Sequence, residues 1–463
     1  MPFEGVWGEV VLIAAFLLFI VSCTSQKVTS QTDTLPQAIP AGNRQPAVDT
    51  LREKEYKKHK EDDLPVIDTF DIALILPFYL DSVREIPDTV EVSYYQQSEL
   101  AIEFYNGVSM ALDSLGKKGL HARIHVYDDA NDKERIKRIA QLPEFRRMDL
   151  LLGPIYNANL RIMSEFAKRD SILLVSPLSP AMKITRDNPF YVMVNPGIEV
   201  HCKKIFDYVL QHHSKDNLLL FTQPDSVRTN YGSVFLDYLR KYQSETGLYE
   251  PQFRIVNYVR DDSNESPDVI DEDLAAYFDE TRRNIVLVPS VDKAYIHSIG
   301  RSLYPLIEPP RELDDAAEHD ITVFGLPVWG DQEGLRLDYA QKMRVHFTSS
   351  YYIDTGFYNT RNPLYKNYLE KFQNEPSEYV MKGFDLMLFF GELMLKYGMG
   401  FDSMLCVEKA RGIHTYFHFG YYPAPNEASA SMDTLFPAPR TDFIENKYVH
   451  LLKYEEYSVK KVE

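Results

Sequence analysis

The strongest constraint in this sequence is a short pattern that recurs: three to five consecutive apolar residues, a proline or glycine stop, then a helical stretch. Ile72-Ala73-Leu74-Ile75-Leu76 is stopped by Pro77, and Leu150-Leu151-Leu152 by Gly153-Pro154. Ile172-Leu173-Leu174-Val175 runs into Ser176-Pro177, and Ile285-Val286-Leu287-Val288 into Pro289. A strand that is apolar at every position has both faces buried, which requires a parallel sheet covered by helices. Between these runs, residues 102–115, 133–142, 159–168, 199–212, 273–283 and 293–303 carry helical apolar spacing. The expected fold class is therefore α/β, with doubly wound parallel sheets.

The pattern starts twice, at residue 70 and again after Asn195-Pro196-Gly197. Strand, proline-closed turn, helix, strand, proline-closed turn describes both 150–177 and 285–327. This predicts two lobes built to one plan, 70–198 and 199–354, with a return segment of the first at about 355–412. Helices are expected at 363–372 and 378–397. Segments 415–422 and 448–454 alternate like strands and are read as an antiparallel pair near the hinge, within 413–463. Such an order requires several crossings between lobes. The length of 463 residues, with 44% hydrophobic and 25% charged, suits two to three packed units.

The N-terminal region reads differently. Residues 10–21 are an apolar run of twelve. As a helix it spans roughly 18 Å, short of a ~30 Å hydrocarbon core but right for a secretory signal. Ile20-Val21-Ser22-Cys23 resembles a bacterial lipobox, which implies a signal peptide over 1–22 and lipidation at Cys23. No acidic residue follows the cysteine directly. One departure is that Glu4 and Glu9 stand where positive residues are usual. Residues 23–69 lack apolar periodicity and read as a disordered tether. The expectation is a lipoprotein of the bacterial envelope, facing the periplasm, at the outer membrane rather than the inner.

Fifty basic against sixty-eight acidic residues give a net charge of −18, or −16 once Glu4 and Glu9 are removed. That balance argues against nucleic-acid binding and against any hold on membrane beyond the lipid. Cys202 and Cys406 are too far apart in sequence to decide whether they pair. Asp128-Asp129 reads as a helix-capping turn, since a calcium loop needs a glycine that is missing. The histidine pairs (121 and 125, 414 and 418) lack metal spacing, and no nucleophile elbow or phosphate loop occurs. The expectation is no catalytic residue, no metal and no cofactor.

The order of motifs resembles that of type I periplasmic binding proteins. Asp71-Ile72-Ala73-Leu74-Ile75-Leu76-Pro77 is similar to their opening strand. Phe104-Tyr105-Asn106-Gly107-Val108-Ser109-Met110-Ala111-Leu112 is similar to their first helix. Tyr127-Asp128-Asp129-Ala130-Asn131-Asp132, Leu151-Leu152-Gly153-Pro154 and Tyr379 with Gly383-Phe384-Asp385 follow in the same order. The resemblance covers about 70–400 and implies two lobes joined by a multi-crossing hinge around a cleft, with ligand at the carboxyl ends of the strands.

Three departures argue against a leucine-type pocket. The Gly-Pro turn leads to Ile155-Tyr156-Asn157-Ala158-Asn159, without Ser or Thr. Phe78-Tyr79 follow the first strand where small residues are usual, and residues 82–99 lengthen the first loop. The cleft either takes a larger or aromatic ligand or is filled by Phe78, Tyr79 and Tyr156. Loop residues after strand ends are the expected lining: Tyr79, Tyr156, Asn157, Ser176 and Ser179 from the first lobe, Tyr231 and Trp329 from the second. With 31 Tyr in the chain, a lining of rings and hydroxyls is the expected chemistry. Two roles fit: a small-solute binding protein serving a transporter permease or sensing, or an envelope interaction protein that activates a peptidoglycan synthase, as some lipoproteins with such lobes do.

Overall fold

Two sheets organise the chain in the computed structural model, which describes residues 69–84, 92–223, 230–259, 270–310, 317–331, 336–423 and 441–462. The signal at 1–22, Cys23 and the tether up to residue 68 lie outside the described residues. The first sheet begins with β1 (Phe70–Leu76), apolar and almost wholly buried. It pairs in parallel with β2 (Ala122–Asp128) and β3 (Leu150–Leu152). β4 (Leu173–Ser176) and β5 (Tyr191–Met193) extend it, also in parallel.

The helices between these strands are α1 (Leu80–Arg84), α2 (Val92–Lys117), α3 (Lys133–Ala140) and α4 (Asn157–Asp170). The long first loop expected at 82–99 is thus largely helix: α1 occupies its start and α2 begins at Val92. α3 is capped by Asp132, whose carboxylate accepts the Arg135 N–H at 2.6 Å, so the cap lies one turn beyond Asp128.

The second sheet follows the same plan. Its strands are β6 (Asn217–Thr222), β7 (Arg254–Asn257), β8 (Asn284–Val288), β9 (Ile321–Gly325) and β10 (His346–Ser349). Its helices are α5 (Ile198–His213), α6 (Gly232–Thr246), α7 (Glu272–Ala275), α8 (Lys293–Ile307) and α9 (Leu337–Lys342). The helix expected over 273–283 stops at Ala275 for a local reason. Asp279 accepts the N–H groups of Thr281 and Arg282 and turns the chain into β8.

The chain then returns to the first lobe through α10 (Pro363–Phe372) and α11 (Glu378–Tyr397). Thirteen of the twenty residues of α11 are buried, and each Phe, Leu and Met among those thirteen contributes about 1.5–3 kcal/mol by leaving water. α11 crosses α2 at backbone contact. A Cβ on Gly107 would stand 1.9 Å from the Val380 carbonyl oxygen, and one on Gly383 would stand 2.2 Å from that of Phe104.

The last five strands are β11 (Lys409–Arg411), β12 (Tyr416–Pro423), β13 (Thr441–Asn446), β14 (His450–Glu455) and β15 (Ser458–Lys461). They divide between the sheets. The first runs β11-β12-β13-β5-β4-β3-β1-β2 and the second β15-β14-β10-β9-β8-β6-β7. Segments 415–422 and 448–454 are therefore not partners: β12 pairs with β13, and β14 with β10 and β15. The intervening strand β13, with polar residues at both ends, was not expected.

The chain passes between the sheets at 194–197, 350–354 and 447–449. Each passage leaves the carboxyl end of a strand, so the carboxyl ends of both sheets converge on the hinge. Cys202 and Cys406 are free thiols, the first buried in the core of the second lobe and the other partly buried against the core of the first.

Candidate functional site

At the carboxyl end of β1 the chain turns sharply. Tyr79 has φ of 53°, a left-handed conformation costly for a tyrosine. Asp128, at the end of β2, holds it there. Its carboxylate accepts the N–H groups of Phe78, Tyr79 and Leu80 at 2.9, 3.1 and 2.9 Å. It also accepts the Ala130 N–H at 2.9 Å and Arg135 Nη1 at 3.0 Å. Asp128 thus organises the β1–α1 turn from the neighbouring strand.

Phe78 is driven into the core by this turn and meets Tyr105 edge-on at 6.1 Å. Tyr79 points the other way. Its ring lies beside Tyr156 and Asn131, and burial, with Tyr156 and Asp129 nearby, raises its pKa. Asp129 is fully buried, accepts Asn159 Nδ2 at 2.7 Å, and is also held above the usual carboxylate range by burial.

Tyr156 reaches the lip because of Gly153. The glycine has φ of +91°, and a Cβ there would stand 2.2 Å from the Ile75 carbonyl oxygen, so no other residue fits. Tyr156 ends the turn 37% exposed. Asn157 opens α4 and accepts the Ser179 hydroxyl at 2.5 Å; Ser179 in turn accepts the Ala181 N–H. Ser176 is fully buried at the end of β4. Of the first-lobe residues expected at the cleft, Tyr79 and Tyr156 are neighbours, Asn157 and Ser179 bond each other, and Ser176 is closed off from solvent.

The second-lobe expectations fare differently. Trp329 is a core residue rather than a lining one. It is fully buried, and its ring lies so close to Gly325 that a Cβ there would stand 2.1 Å from Cδ1. The proline-closed turn after β9 folds the indole back over its own strand, and Tyr454 donates to its carbonyl at 3.2 Å. Tyr231 precedes α6, donates its N–H to Pro289 at 2.7 Å, and is half-buried against the lobe core. The end of β8 leads to Asp292, which caps α8, and Lys293 pairs with Asp331 across the same edge.

Helix α11 supplies residues that a search of strand ends misses. Its N-cap Ser377 donates to Glu103 at 2.6 Å. Tyr351, from the second crossing, and Tyr379 both lie beside Glu378. Burial raises both hydroxyls, and Glu103 and Tyr156 lie near enough to Tyr379 to add to its shift. Burial likewise raises Glu103. The lip is thus a chain of tyrosines backed by carboxylates: Tyr79, Tyr156, Tyr379, Tyr351, Glu378, Glu103. The only available sign was Tyr379 itself, at the start of a strongly apolar helix.

A small apolar cavity behind the lip, between α2, α10 and α11, is lined by Met110, Tyr368, Val380, Met381, Phe384 and Ile413. It offers a polar solute no partner. Among the described residues no three His, Cys, Asp or Glu side chains are grouped to hold a metal ion. No described helix is long and apolar enough to cross a membrane.

No protein-family model matches the chain, and no curated protein sequence does. Solved structures do. A putative branched-chain amino acid ABC transporter protein from Rhodospirillum rubrum superposes with a TM-score of 0.55 at 11% identity, over 85% of this chain and 100% of that one. A branched-chain amino acid ABC transporter periplasmic ligand-binding protein from Burkholderia xenovorans gives 0.52 at 12%, over 85% and 94%. The C-domain of LpoA from Haemophilus influenzae, described as a regulator of PBP1A, gives 0.46 at 13%, over 85% and 100%. Two mostly parallel α/β sheets in this order, joined by three crossings, make the fold that of the type I periplasmic binding proteins.

Proposed function

We propose that the chain is a non-catalytic binding protein whose two lobes close on a small solute held at the tyrosine lip of the first lobe. The observation that carries this reading is the Tyr79–Tyr156 pair. It stands at the carboxyl ends of β1 and β3, where open α/β sheets bind ligands, beside a hinge of three crossings. Rings that present hydroxyls, with Glu378 and Glu103 behind them, suit a solute with an apolar or ring face and a hydrogen-bonding head. Contacts to both lobes would favour the closed state. A lipid on Cys23 would hold the protein in the envelope, where it would deliver the solute to a permease or sense it.

Thermal unfolding across amino-acid, peptide, sugar and aromatic-acid panels tests this. A ligand at 100 times its Kd adds about 2.7 kcal/mol to stability. A Tyr156→Ala variant should lose that gain while melting at the parent temperature without ligand. Stabilisation that survives the substitution moves the solute off the lip.

A second reading, an envelope interaction protein such as an activator of peptidoglycan synthesis, draws on a different observation. Asn157 and Ser179 satisfy each other, while Tyr156 is 37% exposed, as suits a contact with another protein. Capture of a peptidoglycan synthase from envelope extract, lost in Tyr156→Ala, with no hit in the panels, would favour it.

A further inference from the structure

The tyrosine lip carries negative charge that the protein does not balance. Glu99 and Glu103 stand one turn apart on α2, a like-charge spacing that weakens a helix. Glu378, in the first turn of α11, faces Glu103 as well. The positive end of α11 offsets about half an elementary charge of this sum. The hydrogen bond that Glu103 accepts comes from a neutral group, the Ser377 hydroxyl. Among the described residues no Lys, Arg or His forms an ion pair with any of the three carboxylates. The same two helices do pair charges at their other ends, where Lys118, just past α2, holds Glu392 of α11 at 2.6 Å.

A second, independent observation lies at the start of α4. Asn159 is fully buried, and its N–H donates to the Tyr156 carbonyl at 3.1 Å. Its Nδ2 is directed to Asp129, and its Oδ1 is left without a donor. Asp129, equally buried, has no positive partner among the described residues. A buried carboxylate keeps its charge most readily beside a cation, and here that cation is missing. Above these acceptors stand rings. Tyr79 lies beside Tyr156 and Asp129, and Tyr379 beside Tyr156, Glu103 and Glu378. The face of a tyrosine ring attracts a cation, the more so where water is excluded. Rings, carboxylates and an unpaired carbonyl oxygen thus converge on one patch, and each of them favours positive charge.

We propose that the solute held at the lip is an organic cation, its ammonium or guanidinium group set over the Tyr156 and Tyr379 rings and balanced by Glu103 and Glu378. This rests on the binding function proposed above and adds the charge of the solute to it. Asp129 and Asn159 lie beneath the rings and deepen the negative field without touching the solute. A free α-amino acid fits poorly, because its carboxylate would enter the same field. A diamine, a polyamine, an aromatic amine or a guanidino compound brings positive charge with no anion to be repelled.

Titration calorimetry of the full chain reads the charge directly. Phenethylamine is set against phenylethanol and cadaverine against pentanediol, with spermidine and agmatine as further cations. An amine should bind about tenfold or more tightly than its neutral counterpart, and should weaken as salt rises from about 0.05 to about 0.5 M. The double variant Glu103→Gln, Glu378→Gln keeps the acceptor for Ser377 and removes both charges, so it should lose about tenfold in amine affinity and leave the neutral counterpart unchanged. Should that variant not fold, the salt dependence and the neutral comparison in the parent protein decide alone. Amines that bind no better than the alcohols, or that bind the double variant as well as the parent, overturn the proposal. A neutral or anionic solute whose binding is lost in Tyr156→Ala overturns the cation and leaves the binding site standing. A chain that binds neither amines nor any other solute overturns both.

Discussion

The two sheets place their strands in matching order. Read from one edge, β2-β1-β3-β4-β5-β13-β12 in the first corresponds to β7-β6-β8-β9-β10-β14-β15 in the second. They part at the sixth position: β13 runs parallel to β5, whereas β14 runs antiparallel to β10. The short link at 447–449 explains this. β13 ends at the hinge and β14 must begin there, so β14 runs away from the point where β10 arrives. The lobes also differ in what they bury. The first places Asp129, Asn159, Lys382 and Asp385 inside, close to its lip and hinge. The second closes the matching edge with Trp329 and a surface ion pair. Under the function proposed above, the first lobe would carry the recognition chemistry and the second would cover it.

Substitutions can break that contrast. Trp329→Ala should cost the second lobe about 3–5 kcal/mol, the range for an emptied core site. Hydrogen exchange should show the loss in β8 and β9 while the β1–β3 amides keep their protection. Equal loss in both lobes would mean they do not act as separate units. Asp128→Ala should cost about 1–3 kcal/mol through its unpaired donors, with greater mobility of Tyr79 in NMR relaxation.

The pH dependence of stability reports on the buried pair of the first lobe, Lys382 and Asp385. Lys382 has a folded value below its unfolded one, so the unfolded chain holds more protons between about 7 and 10.5, and stability rises with pH there. Asp385 is raised from 3.8 to about 6, so the folded chain holds more protons in that window, and stability falls as pH rises through it. Together they predict a minimum near pH 6–7 in denaturant melts, absent in a Lys382→Met, Asp385→Asn double variant. The smallest effect is Tyr156→Phe, within about 0.5 kcal/mol on stability. If the lip is the binding site, loss of that hydroxyl should still weaken solute binding measurably by calorimetry.

Much of the fold was legible because the central strands are apolar on both faces. β1, β3 and β8 stand out as runs that end in proline or glycine, and α11 as a long apolar helix. β13 was hidden because its residues serve the hinge. Asp442 accepts the Asp187 N–H, Glu445 the Gly197 N–H, and Asn446 donates to the Tyr416 carbonyl. Polar residues with such long-range partners leave no alternation to read. The lip was legible in part: position after a strand end picks out Tyr79 and Tyr156. The same rule picks out Trp329, because sequence position cannot show that a turn folds a side chain back onto its own sheet. It also omits Tyr379 and Glu378, which arrive on a helix from the far end of the chain.

The close crossing of α2 and α11 has a consequence for the order in which the molecule assembles. The buried face of α2 waits for a helix some 280 residues later, and such non-local contacts form slowly because a long loop must close first. The first lobe, which leaves the ribosome first, is therefore the last to be sealed. Until about residue 394 has been made, its longest helix has an apolar flank without a partner, while most of the second lobe, 198–349, is already contiguous. A chain truncated before α11 should expose that flank and aggregate, although it contains every residue of Tyr79, Asp128 and Tyr156.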